Sequence, residues 1–145
     1  MKKIIALTLC LVLAFSLCVP ACASYTADDL IKYLRKLDND FDYYEVELDD
    51  GIICMYIGID GMCVNAMKAK EDGDFDDWEE NVTDLIDELS ETLQEQADEC
   101  DGKPMSCVIL VNDRNTDNVL YVSYSGICIY DYVTGYDIAE DDDAA

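Results

Sequence analysis

The stretch that decides the fold is FDDWEENVTDLIDELSETLQEQADE, residues 75–99. Its apolar side chains recur every three or four residues, which is the spacing of one face of an α-helix. This apolar stripe consists of Phe75, Trp78, Val82, Leu85, Ile86, Leu89, Leu93 and Ala97. The stretch contains no Lys or Arg, so no ion pairs within the helix stabilise it. The sequence therefore predicts a long helix whose stability depends on packing its apolar stripe against other elements.

A second, shorter helix is predicted in TADDLIKYLRKLDNDF, residues 26–41. Thr26 followed three residues later by Asp29 is typical of a capping box, in which two residues exchange hydrogen bonds at the start of a helix. Apolar residues then recur at helical spacing from Leu30 to Phe41. The segment is therefore expected to form a short amphipathic helix.

Two segments before the long helix predict a β-hairpin. In residues 43–49, apolar and acidic side chains alternate, as in a strand with one buried face. Residues 51–59 are almost wholly apolar, as expected of a central strand. The pair Asp50-Gly51 is a strong signal for the tight turn that joins the two strands.

Four further strands complete the predicted sheet. A second Asp-Gly pair, at Asp60-Gly61, predicts another tight turn, so MCVNAMK, residues 62–68, is interpreted as the third strand. The last three strands follow the long helix, in residues 105–112, 118–125 and 126–133. The predicted order is therefore helix, three strands, helix, three strands.

This order predicts an α+β fold in two layers. Short links between strands favour a mainly antiparallel sheet of about six strands, packed on the one long amphipathic helix. Residues 24–136 are long enough to form a single domain with its own core. Residues 137–145 are mostly acidic and have little to bury, so a disordered tail is expected there.

The start of the chain predicts export. MKK is followed by an apolar run from Ile4 to Val19 and then by small residues, which is the layout of a secretory signal peptide, residues 1–23. Cleavage after Ala23 would release the protein, whereas VPAC resembles a lipobox that would make Cys22 a lipidated first residue. Both alternatives predict an extracytoplasmic protein, secreted or on the cell surface. Contact with a membrane is expected only through the signal peptide or a lipid on Cys22.

The chain is strongly acidic, with 33 Asp and Glu residues against 9 Lys and Arg, and a formal net charge of −24. Such a charge repels nucleic acid, so no nucleic-acid partner is expected. It attracts divalent cations and basic proteins. A simpler interpretation is that the charge keeps an exported protein soluble.

Cysteines lie beyond the predicted signal peptide at positions 54, 63, 100, 107 and 128. Their odd number leaves at least one thiol without a partner in the same chain. No predicted hairpin places one cysteine opposite another. Cys100 and Cys107, at the ends of CDGKPMSC, are therefore the disulfide candidate. The alternative is that these cysteines are small, buried hydrophobic residues.

The sequence shows few motifs for catalysis. It has no histidine, which excludes Ser-His and Cys-His catalysis and metal sites that use His. It has no CxxC pair and no glycine-rich phosphate loop. Two carboxylates could act as acid and base in a hydrolase, but nothing in the sequence selects a pair among 33 acidic residues. The protein is therefore predicted not to be an enzyme.

Calcium is the one cofactor that the sequence suggests. Asp113, Asn115 and Asp117 have the alternate spacing of oxygen ligands in a calcium loop. An EF-hand loop also needs Gly at its sixth position and Glu at its twelfth, where this chain has Asn118 and Tyr124. The alternative is a turn in which Asn and Asp side chains hydrogen-bond the backbone.

Tyrosines in the last strands suggest a binding surface. Tyr121, Tyr130 and Tyr132 lie in predicted strands, of which the long helix can cover only one face. Tyrosine rings exposed on the other face would favour recognition of a protein. The alternatives are that the first helix or a second copy of the chain covers these rings.

The sequence thus favours an exported, non-enzymatic interaction module that binds a protein partner or a second copy of itself. Three other functions stay open. They are a calcium-binding exported protein, a surface lipoprotein anchored through Cys22, and a carboxylate-based hydrolase.

Overall fold

The computed structural model of the chain describes residues 25–141. The predicted signal peptide, residues 1–23, and the lipidation candidate Cys22 lie outside the described residues. Among the residues that are described, no helix is both long enough and apolar enough to cross a membrane.

The described chain forms five helices and six strands. The helices are α1 (Ala27–Arg35), α2 (Met62–Asp72), α3 (Phe75–Trp78), α4 (Asp84–Asp98) and α5 (Ile138–Asp141). The strands are β1 (Tyr43–Asp49), β2 (Ile52–Gly58), β3 (Met105–Asn112), β4 (Asn115–Tyr124), β5 (Ile127–Asp131) and β6 (Tyr136–Asp137). A π-helical turn, Glu79–Thr83, joins α3 to α4, and the three stretches together form the long helix.

The strands form one sheet in the order β1-β2-β3-β4-β5-β6. All neighbouring strands are antiparallel except β2 and β3, which are parallel. The α+β class and a mostly antiparallel sheet of six strands are therefore confirmed. The predicted order of elements is only partly matched, because two strands precede the long helix and four follow it.

The predicted third strand is wrong, because residues 62–68 belong to helix α2. Gly61 has a φ angle of 81° and begins this helix instead of turning a hairpin. Met62 and Ala66, four residues apart, are both buried, as on one face of a helix. Parallel strands also need a long crossover between them, which α2 and the long helix supply.

The sixth strand lies instead at the end of the chain. Tyr136 pairs with Asp131, and Asp137 pairs with Tyr130, so the short β6 extends the sheet beyond β5. The short helix α5 follows directly. Of the predicted disordered tail, residues 137–141 thus belong to β6 and α5, and residues 142–145 lie outside the described part.

The predicted capping box at the start of α1 is confirmed. The Asp29 backbone N–H donates to Thr26 Oγ1 at 3.2 Å, and the Thr26 backbone N–H donates to Asp29 Oδ2 at 3.0 Å. The Thr26 backbone N–H and the Thr26 hydroxyl both donate to Asp29 Oδ2, and these two hydrogen bonds lower the pKa of the Asp29 carboxyl. Leu30 and Leu34 of this helix are fully buried in the core.

The core lies between the helices and one face of the sheet. The long helix contributes Ile86, Leu89 and Leu93, all 0% exposed, and α4 packs mainly against β3. Helices α1 and α2 add residues to the same core cluster, so the sheet packs on more than one helix. Because side chains alternate along a strand, the residues between the core positions point to the outer face. The outer face comprises Ile52, Cys54, Tyr56, Met105, Cys107, Ile109, Val122 and Tyr124.

Candidate functional site

A groove of about 480 Å³ lies where α2 meets strands β4 and β5. We call it the tyrosine groove, since the rings of two tyrosines belong to its lining. Its lining residues are Cys63, Met67, Asp117, Asn118, Val119, Leu120, Tyr130 and Tyr132. Apolar and polar surface contribute about equally to this lining, and Asp117 supplies a carboxylate.

Helix α2 supplies one wall of the tyrosine groove. Met62 and Ala66 are buried in the core. Cys63 and Met67, each one residue further along the helix, face the groove. Met67 is 55% exposed, although it is a large apolar side chain. The sequence analysis missed this wall because it interpreted the segment as a strand, and the spacing of four residues within these two pairs was the available signal.

Lys70 of α2 fixes the helix to the turn that follows β5. Its Nζ atom donates to the backbone oxygen of Tyr132 at 3.0 Å and lies 4.4 Å from the centre of the Tyr132 ring. The second distance is that of a cation–π contact. Two weak interactions therefore hold one wall of the tyrosine groove against the other.

The three tyrosines predicted as a binding surface do not lie together. Tyr130 and Tyr132 both line the tyrosine groove. Tyr121 does not, because it pairs with the core residue Leu110 and its ring points towards the long helix. It is only 2% exposed, and its hydroxyl donates to Asp87 Oδ1 at 2.7 Å. The predicted surface position of Tyr121 is therefore corrected to a buried one.

Asp87 of the long helix is the centre of a polar cluster between helix and sheet. Its Oδ1 atom accepts hydrogen bonds from Tyr121 and from Ser123 Oγ, each at 2.7 Å. Ser123 is in turn 2.7 Å from Ser90 Oγ on the same helix. Partial burial raises the pKa of the Asp87 carboxyl, although the two hydrogen bonds act in the opposite direction.

A second carboxylate, Asp131, lies in the same region at the end of β5. It is 6% exposed, and its Oδ1 atom accepts from Trp78 Nε1 at 3.2 Å and from the Val133 backbone N–H at 2.9 Å. It therefore links the first turn of the long helix to the turn that follows β5. An acidic residue inside the apolar run GICIYDYV was the signal for a buried carboxylate in the sequence.

Asp87 and Asp131 both line a cavity of about 190 Å³, together with Cys128. Small-molecule sites usually have about 300–1,000 Å³, so this cavity is smaller than is usual for a substrate. Both carboxylates accept hydrogen bonds from side chains and backbone of the protein, which fits a cluster that holds the helix on the sheet. A carboxylate-based hydrolase stays a prediction that this geometry does not favour.

The calcium candidate lies around the turn between β3 and β4. Asn115 and Asp117 are exposed in β4, and Asn115 Oδ1 accepts from the Asp117 backbone N–H at 3.4 Å. This contact is the kind that the alternative interpretation expected, a side chain bonded to nearby backbone. Within residues 25–141, no group of three or more His, Cys, Asp or Glu side chains is placed to hold a metal ion. Calcium binding by Asp113, Asn115 and Asp117 stays a prediction.

The two cysteines of the disulfide candidate have different contacts. Cys100 Sγ donates to the Gln96 backbone oxygen at 3.7 Å, within the end of the long helix. Cys107 Sγ lies 3.7 Å from Sγ of Cys54, on the neighbouring strand β2. The pair of Cys54 with Cys107 was not predicted, because it lies across two parallel strands, whereas hairpin register and nearness in sequence indicate only local pairs.

The sequence matches none of the protein-family models, curated proteins or solved structures with which it was compared.

Proposed function

We propose that this chain is an exported, non-enzymatic binding protein that holds a segment of a partner protein in the tyrosine groove. The observation that carries this proposal is the groove itself. It combines two tyrosine rings, a largely exposed methionine and one carboxylate around about 480 Å³ of space. This volume falls within the range of about 300–1,000 Å³ that is typical of ligand sites.

The lining of the groove suits an apolar side chain of a partner. Tyrosine contributes large contact areas at interfaces while losing little conformational freedom, and it is common among the residues that dominate binding energy. Methionine is unbranched and adapts its shape to what it contacts. Met67 next to Tyr130 and Tyr132 therefore supports binding of an aliphatic or aromatic side chain.

The negative charge of the chain favours a positively charged partner. The formal net charge of −24 attracts positively charged proteins over long distances. In the groove itself, Asp117 offers a carboxylate to a neighbouring Lys or Arg of the partner. The proposed ligand is therefore a protein segment in which an apolar side chain lies next to a basic one.

A peptide-display selection against the purified protein tests this proposal. We expect the selected peptides to be enriched in combinations of an apolar residue with Lys or Arg. The affinity of a selected peptide should fall by about tenfold or more in Tyr130→Ala and in Met67→Ala, because truncating a residue that dominates binding costs about 2 kcal/mol and about 1.4 kcal/mol is tenfold. Fluorescence polarisation with the labelled peptide measures each dissociation constant.

Tyr136→Ala is the matched control, since Tyr136 is 37% exposed and is not part of the groove lining. Its affinity for the peptide should equal that of the unchanged protein. Peptides that bind equally well to the Tyr130, Met67 and Tyr136 variants would show that the groove is not the binding site. Enrichment of acidic peptides would contradict the expected charge of the partner.

Export is tested by the intact mass of the protein isolated from its native host. A mass that begins at Ser24 identifies a released protein, and a mass that begins at Cys22 with added acyl chains identifies a surface lipoprotein. Either result fits an extracytoplasmic binding protein. A mass that retains residues 1–23 would contradict the proposed export.

A further inference from the structure

The outer face of the sheet brings two cysteines together. Strands β2 and β3 are parallel, and Cys54 is the register partner of Cys107. Their sulfur atoms are 3.7 Å apart. Neighbouring strands lie about 4.8 Å apart, and disulfides join residues whose Cα atoms are about 4.4–6.8 Å apart. The backbone therefore already has the spacing that a disulfide requires, and only the side chains need to move.

The two thiols lie on the side of the sheet that faces away from the core helices. Each is 7% exposed, and Met105, which pairs with Ile52 two register positions away on the same face, is 52% exposed. Both thiols are thus almost fully covered, and a small reagent reaches them by displacing outer-face side chains and not by opening the core. Cys100 differs, because it is buried at the end of the long helix and this burial raises its pKa to about 11.

We propose that Cys54 and Cys107 form a dithiol–disulfide pair that is oxidised by exchange with a small-molecule disulfide. The Cys54 thiolate attacks one sulfur of the reagent, which breaks the reagent's S–S bond and releases one small thiol. Cys107 loses its proton and attacks Cys54 in the resulting mixed disulfide, which releases the second small thiol. Two protein thiols are oxidised, and the reagent is reduced to two thiols.

Hydrogen bonding between the two sulfur atoms supports the order of these steps. The Cys107 thiol donates to Cys54, and this bond lowers the pKa of Cys54 and raises that of Cys107. Cys54 is thus the better attacking group, since the thiolate is the nucleophile. This arrangement is independent of the tyrosine groove and of any partner bound there.

The bond would join two parts of the chain that are far apart in sequence. It links β2 to β3 across the crossover formed by α2 and the long helix. Closing so long a loop restricts the unfolded chain, so the oxidised protein should be the more stable form. With Cys54 and Cys107 joined, the other three cysteines of residues 25–141 remain as thiols, namely Cys63, Cys100 and Cys128.

Mapping the bond in the unchanged protein is the decisive experiment. The protein is equilibrated with oxidised and reduced glutathione, its remaining thiols are alkylated, and the intact mass and the proteolytic peptides are measured. We expect a loss of two hydrogens and one cross-linked peptide pair that contains Cys54 and Cys107. A cross-link that contains Cys100, or stable glutathione adducts with no internal bond, would overturn the proposal.

Variants give a second measurement. Cys54→Ser and Cys107→Ser should each abolish the loss of two hydrogens, whereas Cys100→Ser should retain it. Oxidation should raise the urea midpoint of the unchanged protein and of Cys100→Ser, and should leave that of Cys54→Ser unchanged. An equal rise in Cys54→Ser would contradict the assignment, and the peptide map decides the question if a variant fails to fold.

Discussion

Two regions built on the same strands, β4 and β5, differ in what they offer to solvent. On the helix side, Tyr121 and Asp131 are almost fully buried, and their polar atoms bond within the protein. In the tyrosine groove, Tyr130 and Tyr132 are only partly buried and line open space. Neighbouring residues of one strand, Tyr130 and Asp131, thus belong to different regions. The position of a tyrosine in the fold, and not its residue type, decides whether it can bind a partner.

The largest expected effect compares two tyrosines. Tyr121→Ala should lower the free energy of unfolding by about 3–5 kcal/mol, since removing a fully buried aromatic ring leaves a cavity in the core. Tyr130→Ala should cost less than half as much, because its ring is only half-buried. Urea unfolding followed by circular dichroism measures both values. Equal losses in the two variants would remove the distinction between the regions.

Asp131 gives the next largest effect. Asp131→Ala should lower the free energy of unfolding by about 2–3 kcal/mol, because Trp78 Nε1 and the Val133 N–H then lose their acceptor in a buried place. The same measurement on Asp137→Ala, in the adjacent edge strand β6, provides the control. The peptide affinity of Asp131→Ala should remain that of the unchanged protein, since its side chain lies outside the tyrosine groove. A lost peptide affinity in a folded Asp131→Ala variant would show that the two regions are coupled.

Asp87 should make the stability of the folded protein depend on pH. Its pKa is raised in the folded protein, so the folded state binds the proton more tightly than the unfolded state. The contribution of Asp87 to stability is therefore greatest at low pH and falls as pH rises from about 3.8 through the raised value. Unfolding at several pH values should show that Asp87→Asn removes part of this fall.

Asp84→Asn is the control for this titration, since Asp84 is exposed one turn earlier on the long helix. Both substitutions remove one negative charge, and because the Asp84 charge is one of the smaller causes that raise the pKa of Asp87, Asp84→Asn is expected to have the smaller effect. The pH dependence of stability should change more in Asp87→Asn than in Asp84→Asn. The same pH dependence in both variants would mean that burial of Asp87 has no energetic consequence.

The smallest effect is expected for Lys70. Lys70→Met keeps most of the side-chain length but loses the contact with the Tyr132 ring and the hydrogen bond to its backbone oxygen. Unfolding should become easier by about 0.5–1 kcal/mol, which is typical of an exposed cation–π contact. Peptide binding should weaken at the same time, because one wall of the tyrosine groove is held less firmly. Unchanged stability and unchanged peptide affinity together would show that the contact of Lys70 with Tyr132 does not stabilise the groove.

Much of the local structure follows directly from the sequence. Thr26 and Asp29 predict the start of α1, and the apolar stripe of residues 75–99 predicts the long helix. Asp50-Gly51 predicts the hairpin of β1 and β2. Each of these patterns depends on residues that are close in sequence, where capping, turn and periodicity rules apply.

The errors arise where a pattern is short or where distant segments must meet. Residues 62–68 are too few to separate helical from strand periodicity, and an Asp-Gly pair can begin a helix as well as turn a hairpin. Because these residues were predicted as a strand, neither the α2 wall of the tyrosine groove nor the part of the crossover that α2 forms was predicted. With a strand predicted in place of α2, β2 was not the strand that directly precedes the crossover, so its parallel pairing with β3 was not anticipated, and neither was the contact of Cys54 with Cys107.

The sequence by itself determined the α+β class, the acidic charge, the capped first helix and the amphipathic long helix. Local hydrogen bonds and hydrophobic periodicity account for these features, since both act over a few residues. Only the tertiary structure decided that Tyr130 joins Met67 in a groove while Tyr121 is buried against Asp87. It also decided that Cys107 meets Cys54 and not Cys100. These contacts depend on strand order and register, which the packing of the whole sheet against its helices selects.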